Sequence, residues 1–332
     1  MRFLLCVVLI GMISTAAMAR DQLRIVGSST VRPFATEVAI NFGKATGLRT
    51  PVIESTGSGG GLMLFCQGVG IVHPDIANAS RLIKPSELDL CAENGVTDIT
   101  EVKIGFDAVV LVSANSVAAY ALTSQQIFMA LAKRVPVDGR LVDNPYNRWS
   151  DINPSLPAAA IEVIGPPPFT GTRDTFVERV MRKGALAFPT LAKMRKRSES
   201  RFRGVADAIR EDGRFVVTNQ SDKLVVQRLE KNPTALGIFD ISFLVENGDR
   251  ILGASIDGQE PTPEAIADGS YQVRRSLYFY VKEAHVGLIP GITDYVDEFV
   301  SDRALGEAGY LRKMGLVPLK TTGGSSIRKI TR

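Results

Sequence analysis

The sequence predicts an α/β protein of two lobes, each a mixed sheet flanked by helices, with two strands crossing between the lobes. Short strand-like apolar runs alternate along the chain with segments whose apolar residues recur at helical spacing. This alternation is typical of α/β architecture. The chain has 332 residues, and one hydrophobic core rarely serves so many, so we expect two lobes.

Residues 1–19 are predicted to be a cleavable secretory signal peptide. They combine a charged start, an apolar run from Phe3 to Ile13 and a small-x-small end at Ala17–Ala19. The apolar run is too short to remain as a membrane-spanning helix. Cys6 does not follow a lipobox, so no lipid anchor is expected. The mature protein is therefore expected to be soluble and exported.

Two apolar strands are predicted to connect the lobes. The segment Ile104–Val112 is almost continuously apolar, as in a sheet that is buried on both faces, and Leu277–Val281 lies far downstream. If both strands cross, residues 20–112 and 276–332 form the first lobe and residues 113–275 form the second. Two such strands act as a hinge, about which a cleft closes over a ligand.

Three clusters of Ser, Thr and Gly each open a predicted helix: residues 27–30, 56–61 and 170–174. Strand-like stretches precede the first two clusters, at residues 23–26 and 51–54. A helix N-terminus offers free backbone N–H groups and a partial positive charge, and therefore holds an anion. Hydroxyls add donors, and glycine permits close approach. Three such corners predict a cradle around a small oxyanion.

The predicted helices are supported by apolar residues three or four positions apart. They follow each corner in turn: Phe34, Val38 and Phe42; Leu62, Phe65, Cys66 and Val69; Phe176, Val177, Val180 and Met181.

Cys66 and Cys91 are the two cysteines outside the predicted signal peptide. In an oxidising compartment we favour a disulfide between them, and two buried free thiols are the alternative. The sequence contains only two histidines, His73 and His285. Neither stands at a ligand spacing from the cysteines, so zinc is not expected, and no cofactor is expected.

The charge pattern argues against a nucleic-acid-binding protein. The net charge is only +4, and the basic stretch 193–203 contains a single aromatic residue, Phe202. We interpret this stretch as a solvated helix face and loop.

Several segments, in this order and spacing, resemble the periplasmic phosphate-binding proteins of ABC transporters, the PstS/SphX-like group with a type II periplasmic-binding fold. The resemblance extends over nearly the whole chain after the predicted signal peptide. It implies a monomeric receptor for inorganic phosphate that serves an inner-membrane ABC permease. The matching segments are 26–34, 54–61, 78–84, 104–107, 149–152, 171–176, 235–239 and 275–282.

The resemblance also implies the ligand-binding residues, which lie at the three corners. They are Ser29, Thr30 and the Val31 amide at the first, Ser58 at the second, and Thr170, Gly171 and Thr172 at the third.

The sequence departs from that family at two positions. Arg81 stands where many relatives have an aspartate that accepts the phosphate proton, and the arginine that some relatives carry before the third corner is missing. We expect Arg81 and Arg173 to supply positive charge. Asp107 and Asp174 are the candidates for the proton acceptor, and the sequence does not choose between them.

Other functions remain open at this stage. One is a receptor or sensor for another oxyanion, such as sulfate, molybdate or arsenate. A hydrolase of phosphate esters is less favoured, because Ser29 and Ser58 lack the Gly-x-Ser-x-Gly pattern and no Asp/His metal cluster is visible. We therefore expect a binding protein with no catalytic residues.

Overall fold

The structure is a computed structural model that describes residues 20–168, 170–218, 222–320 and 324–332. The predicted signal peptide lies outside these residues. None of the helices within the described ranges is both long and apolar enough to cross a membrane.

Strands and helices alternate along most of the chain, as predicted. The strands are β1 (Arg24–Gly27), β2 (Val52–Ser55), β3 (Ile76–Ala79), β4 (Asp98–Ala114), β5 (Ala121–Leu122), β6 (Arg134–Val137), β7 (Arg140–Asp143), β8 (Val163–Gly165), β9 (Phe215–Val217), β10 (Leu236–Asp240), β11 (Ile251–Gly253), β12 (Ser255–Ile256), β13 (Arg274–Lys282) and β14 (Ser326–Thr331).

The helices begin after each predicted corner and continue through both parts of the fold. They are α1 (Arg32–Thr46), α2 (Gly57–Phe65), α3 (Pro85–Glu93), α4 (Ser124–Leu131), α5 (Trp149–Ile152), α6 (Gly171–Phe176), α7 (Arg182–Leu186), α8 (Pro189–Arg197), α9 (Glu199–Ala206), α10 (Asp222–Lys231), α11 (Ile241–Glu246), α12 (Pro263–Asp268), α13 (Ile292–Val300), α14 (Asp302–Leu305) and α15 (Tyr310–Lys313). A π-helical turn, Val177–Met181, joins α6 to α7.

The main sheet is mixed, with the strand order β2-β1-β3-β13-β4-β10-β8-β9. Strands β2, β1 and β3 run parallel to one another, and so do β10, β8 and β9. The long strands β13 and β4 lie between these groups and pair antiparallel with each other. Because loops that follow parallel strands gather at one edge of a sheet, the corners after β1, β2 and β3 lie close together.

The hydrophobic core divides at the two long strands. One cluster contains buried residues from Phe106 to Val273, together with Val317. Two further clusters draw on residues from Leu23 to Ile104 and from Leu277 to Leu316. The chain thus passes between core regions on β4 and again on β13. The lobe boundaries predicted after residues 112 and 275 remain predictions.

The predicted disulfide is confirmed. Cys66 at the end of α2 and Cys91 in α3 are joined with an S–S distance of 2.01 Å. Both residues are buried in the core beside Leu62, Phe65 and Ile83. The bridge therefore fixes α3 against the helix that begins at the second corner.

Candidate functional site

The first corner joins β1 to α1; Ser28 is buried, Thr30 is half-buried and Ser29 is exposed. The Ser28 amide donates to the Asn78 carbonyl at 2.9 Å, and the Ser28 carbonyl accepts from the Arg32 amide at 3.1 Å. Among the described residues, no backbone carbonyl accepts from the amides of Ser29 or Thr30. These two residues therefore offer amides as well as hydroxyls to a ligand.

The second corner joins β2 to α2 and packs tightly on the first. A Cβ on Gly61 would lie 2.4 Å from the Gly27 Cα, so only glycine at position 61 permits this approach. The Ser58 Oγ accepts from the Ser80 amide at 3.0 Å and lies 3.2 Å from the Ser80 Oγ. The Ser58 oxygen accepts from this amide, and its hydroxyl hydrogen remains available to donate either to the Ser80 Oγ or to a ligand.

The third corner belongs to the core region between Phe106 and Val273, and it contacts the first corner, which belongs to the other core region. The Thr170 side chain caps α6: it accepts from the Arg173 amide at 3.3 Å and donates to the Pro167 carbonyl at 3.0 Å. A Cβ on Gly171 would lie 2.4 Å from the Thr30 Oγ1 and 2.7 Å from the Arg275 Nη1. The start of α6 is therefore in close contact with both groups.

The three corners surround a cavity of about 380 Å³. Six of the residues predicted from the sequence line it: Ser29, Thr30, Ser58, Arg81, Gly171 and Asp174. The structure also brings residues to the cavity that sequence reasoning missed, namely Ser28, Gly57, Gly59, Ser80, Thr175, Glu178, Arg179 and Arg275.

Four other predicted ligand-binding residues do not line this cavity. Val31 is fully buried in the core, and Thr170 caps its helix. The Thr172 hydroxyl donates to both carboxylate oxygens of Asp240, at 2.8 and 2.9 Å. Arg173 lies over the Phe215 ring, 4.5 Å from the centroid, and its Nη1 donates to the Pro166 carbonyl. Ligand contact by Thr170, Thr172 and Arg173 stays a prediction. So does contact by the Val31 amide, because no backbone carbonyl among the described residues accepts from it.

Arg275 is the buried cation of the site. Its Nε and Nη2 donate to Asp107 Oδ2 at 2.9 and 2.5 Å, and its Nη1 donates to the Thr175 hydroxyl at 2.9 Å. A further contact of 3.3 Å reaches Asp240 Oδ1. The stretch 275–282 is one of the segments that resemble the family. Arg275 stands far along the chain from all three corners, so the sequence analysis did not predict it as a site residue.

Two carboxylates share this arginine, and their charges are coupled. Desolvation, followed by repulsion from Asp107, raises the pKa of Asp240 to about 7, while the charge of Arg275 and the hydrogen bond from Thr172 oppose the rise. With Asp240 protonated, the charges of Arg275, Asp107 and Asp240 cancel. A bound anion nearby therefore favours the protonated form of Asp240.

Arg81 lines the cavity, but its guanidinium is held by Glu87. Nη1 and Nη2 donate to the two carboxylate oxygens of Glu87 at 2.8 and 2.7 Å. Hydrogen bonding to Glu87 raises the pKa of Arg81. An anion at the second corner therefore meets a cation whose charge is already balanced.

The two candidate proton acceptors occupy different places. Asp107 lies beneath the cavity wall, where it accepts from Arg275. Asp174 lines the cavity, and burial raises the pKa of its carboxyl group. Of these two carboxylates, Asp174 is the one that a ligand could reach directly.

Within the described ranges, no three or more His, Cys, Asp or Glu side chains are grouped so that they could hold a metal ion.

Comparison with known proteins reveals clear relatives. A family model described as a PBP superfamily domain matches residues 13–303. The phosphate-binding protein PstS of Staphylococcus saprophyticus is 27% identical over 83% of this chain and 75% of its own length. The protein SphX of Synechococcus elongatus is 26% identical over 88% of this chain and 76% of its own length. The likeness to the PstS/SphX-like group is thereby confirmed.

Solved structures share the fold. A possible phosphate binding protein from Planctomyces limnophilus superposes with a TM-score of 0.66 at 22% identity, covering 91% of this chain and 94% of its own. An ABC-type phosphate transport receptor from Vibrio cholerae superposes with a TM-score of 0.57 at 19% identity, covering 85% and 95%. The predicted two-lobed α/β class is confirmed by these neighbours.

Proposed function

This chain belongs to the PBP superfamily, and from that membership we propose that it is a receptor for inorganic phosphate. Phosphate binds in the cavity between the three corners, and the loaded protein delivers it to an inner-membrane ABC permease. The names of PstS from S. saprophyticus and of the V. cholerae transport receptor support this ligand and this role. Export to the periplasm, by the predicted signal peptide, belongs to the same proposal. The protein acts by binding and is not an enzyme.

The observation that carries the proposal is the meeting of three helix starts on one small polar cavity. Ser29 and Thr30 approach from the first corner, Ser58 from the second and Gly171 from the third. Each helix start contributes N–H groups and a partial positive charge toward the same volume. Such an arrangement is complementary to a tetrahedral oxyanion, whose oxygens need donors from several directions.

Arg275 brings a guanidinium to the cavity wall, where Asp107 balances its charge. Its side chain is only 7% exposed, and Asp107 and Thr175 hold its orientation. Each charge-assisted hydrogen bond to an anion contributes about 1.5–3 kcal/mol. Micromolar affinity requires about 8 kcal/mol, so a few hydroxyl, amide and guanidinium contacts suffice after the costs of ordering.

We propose that the Asp174 carboxylate accepts the hydrogen bond from the protonated oxygen of phosphate. Phosphate at neutral pH still carries at least one proton, whereas sulfate carries none. A carboxylate that lines the cavity accepts a hydrogen bond from the protonated phosphate oxygen and repels a fully ionised anion. Asp107 is less suitable, because its Oδ2 already accepts twice from Arg275.

Closure of the two lobes over the anion completes the proposed cycle. The first two corners belong to the region 20–112 and the third to the region 113–275. The strands β4 and β13 connect these regions. Gly171 lies against Thr30, so a change in the angle between the regions would open or close the cavity.

The proposal is tested by titration calorimetry of protein that has been unfolded, stripped of anion and refolded. We expect micromolar or tighter phosphate binding that excess sulfate does not displace. Ser58→Ala should weaken binding about tenfold or more, because it removes a hydrogen bond to a charged ligand. Thr56→Ala is the matched control: Thr56 is exposed, does not line the cavity and makes no capping hydrogen bond.

Equal or tighter sulfate binding would replace phosphate with another oxyanion as the ligand. If neither anion bound, the proposal that this protein is an oxyanion receptor would be refuted.

A further inference from the structure

A second polar cavity adjoins the cavity between the three corners, which we call the anion cavity. Its volume is about 370 Å³, and Glu178 and Arg179 line both cavities. The second cavity lies between the helix containing α7 and the pair α8 and α9. Most of its charged lining is basic, with Arg179, Arg182, Lys183, Arg195 and Arg203 against Glu178 and Glu199.

The surface around this cavity carries a concentrated net positive charge. Residues 178–203 contain nine Lys or Arg and two Glu, a net charge of +7, whereas the whole chain carries +4. The remainder of the chain is therefore net negative. An anion in solution meets a positive field mainly on this side of the molecule.

Part of this charge is balanced by local ion pairs and part is not. Arg182 pairs with Asp207, Lys183 pairs with Asp257, and Glu199 accepts from both Arg195 and Arg203. By contrast, a second set of cations makes no ion pair within the described residues: Arg179, Lys193, Lys196, Arg197 and Arg201. All five are exposed.

We propose that this basic surface, residues 178–203, collects the anion from solution and steers it through the second cavity into the first. The inference rests on the proposed function, because it concerns how the same anion reaches the site. Steering requires only a net positive field near the entrance. Asp207 and Asp257, which pair with Arg182 and Lys183 from outside the stretch, lower its net charge from +7 to +5 and leave it basic. Arg179, which makes no ion pair in the described part of the chain, lines both cavities next to Glu178 and is the cation at which the anion passes from one to the other.

The cations of α8 and α9 that make no ion pair within the described ranges lie close enough to the second cavity to act on an anion there. Lys196 and Arg197 directly follow Arg195, which lines the second cavity, and Arg201 is two residues before Arg203, which also lines it. Consecutive residues of an α-helix lie only about 1.5 Å apart along its axis, so these cations are close to the residues that line the cavity. The screening length is about 10 Å at 0.1 M salt and about 30 Å at 0.01 M. The field should therefore reach the entrance and weaken as salt is added.

The test is stopped-flow measurement of phosphate association and dissociation at several salt concentrations. A fluorophore on Leu82→Cys reports binding, since Leu82 is 52% exposed beside Arg81 and both native cysteines are in the disulfide. The test variant is Lys196→Gln/Arg197→Gln/Arg201→Gln. The control is Lys44→Gln/Arg140→Gln/Lys313→Gln, which removes the same charge from exposed cations elsewhere that have no ion pair within the described residues.

At about 0.01 M salt we expect the test variant to associate at least about threefold more slowly than the parent, within the range known for electrostatic steering. The dissociation rate should not change, and the difference should vanish near about 0.5 M salt. The control should match the parent. An unchanged association rate, a loss that persists at high salt, or a changed dissociation rate would each overturn the steering role. Failure of the parent to bind phosphate at all would instead refute the proposed function.

Discussion

Arg275 and Asp107 face each other on neighbouring strands, and two nitrogens of the arginine donate to the same oxygen of the aspartate. They are register partners in the antiparallel pair of β13 and β4. Their side chains are only 7% and 5% exposed. The strand register thus places a buried, oriented guanidinium at the wall of the anion cavity, 168 residues away in sequence from the carboxylate that holds it.

Removal of that carboxylate should destabilise the protein. Asp107→Asn leaves the buried charge of Arg275 without its main partner, which typically costs about 3–5 kcal/mol. We expect a loss of about this size in urea unfolding, measured without phosphate. Asp297→Asn, an exposed position in α13 without an ion pair in the described structure, should change the stability by less than about 0.5 kcal/mol. Equal stability of the two variants would show that Asp107 is not needed to hold Arg275.

A methyl group at position 171 should damage binding more than folding. In Gly171→Ala the new Cβ would lie 2.4 Å from the Thr30 Oγ1 and 2.7 Å from the Arg275 Nη1, so both groups must move from the cavity wall. We expect phosphate affinity, measured by calorimetry, to fall about tenfold, the effect of losing one charge-assisted contact. Unimpaired affinity would mean that the third corner does not help to form the anion site.

The matched control for that substitution is Gly204→Ala. Gly204 lies inside α9, and a Cβ there meets no atom within 4 Å. Alanine is the better helix former by about 1 kcal/mol. Gly204→Ala should therefore raise the stability slightly and leave phosphate affinity unchanged.

Reduction of the disulfide should lower the stability without abolishing the site. The bridge closes a loop with a sequence separation of 25, and the loss of such a link costs about 3–4 kcal/mol in the chain-entropy picture. Urea unfolding with and without dithiothreitol measures this difference. Cys66→Ser/Cys91→Ser should resemble the reduced protein and show no response to the reductant. An identical unfolding midpoint for oxidised and reduced protein would contradict the expected contribution.

A buried lysine should make the stability rise with pH above neutrality. Lys282 is fully buried, its Nζ donates to the Gly68 carbonyl at 2.6 Å, and burial lowers its pKa to about 8. The unfolded chain has a lysine pKa of about 10.4. Between these values the folded protein has released a proton that the unfolded chain still binds, so folding becomes more favourable as pH rises.

The comparison with Lys282→Met isolates this effect. The free energy of unfolding of the parent, relative to that of the variant, should increase between about pH 8 and about pH 10.4 and level off on either side. Urea unfolding at several pH values measures it, and groups that titrate in both proteins cancel. A constant difference across this range would mean that Lys282 stays charged when buried.

The sequence by itself determined the α/β class, the three Ser/Thr/Gly corners at which helices begin and the cysteine pair that forms the disulfide. These features depend on local preferences: apolar periodicity sets strand or helix, and Gly, Ser and Thr at a strand-to-helix junction expose backbone N–H groups whatever surrounds them. Ser29, Thr30, Ser58 and Gly171 were predicted from the resemblance of these segments to the phosphate-binding proteins, and all four line the cavity.

Only the tertiary structure decided which charges serve the site. Arg173 stands at the third corner yet stacks on Phe215, and Thr172 turns to Asp240. The cation that reaches the cavity is Arg275, placed by the pairing of β13 with β4. The physical reason is that a side chain's partner is set by strand register and by the packing of the two core regions. Both bring together residues that are far apart in the chain, and no local pattern encodes that distance.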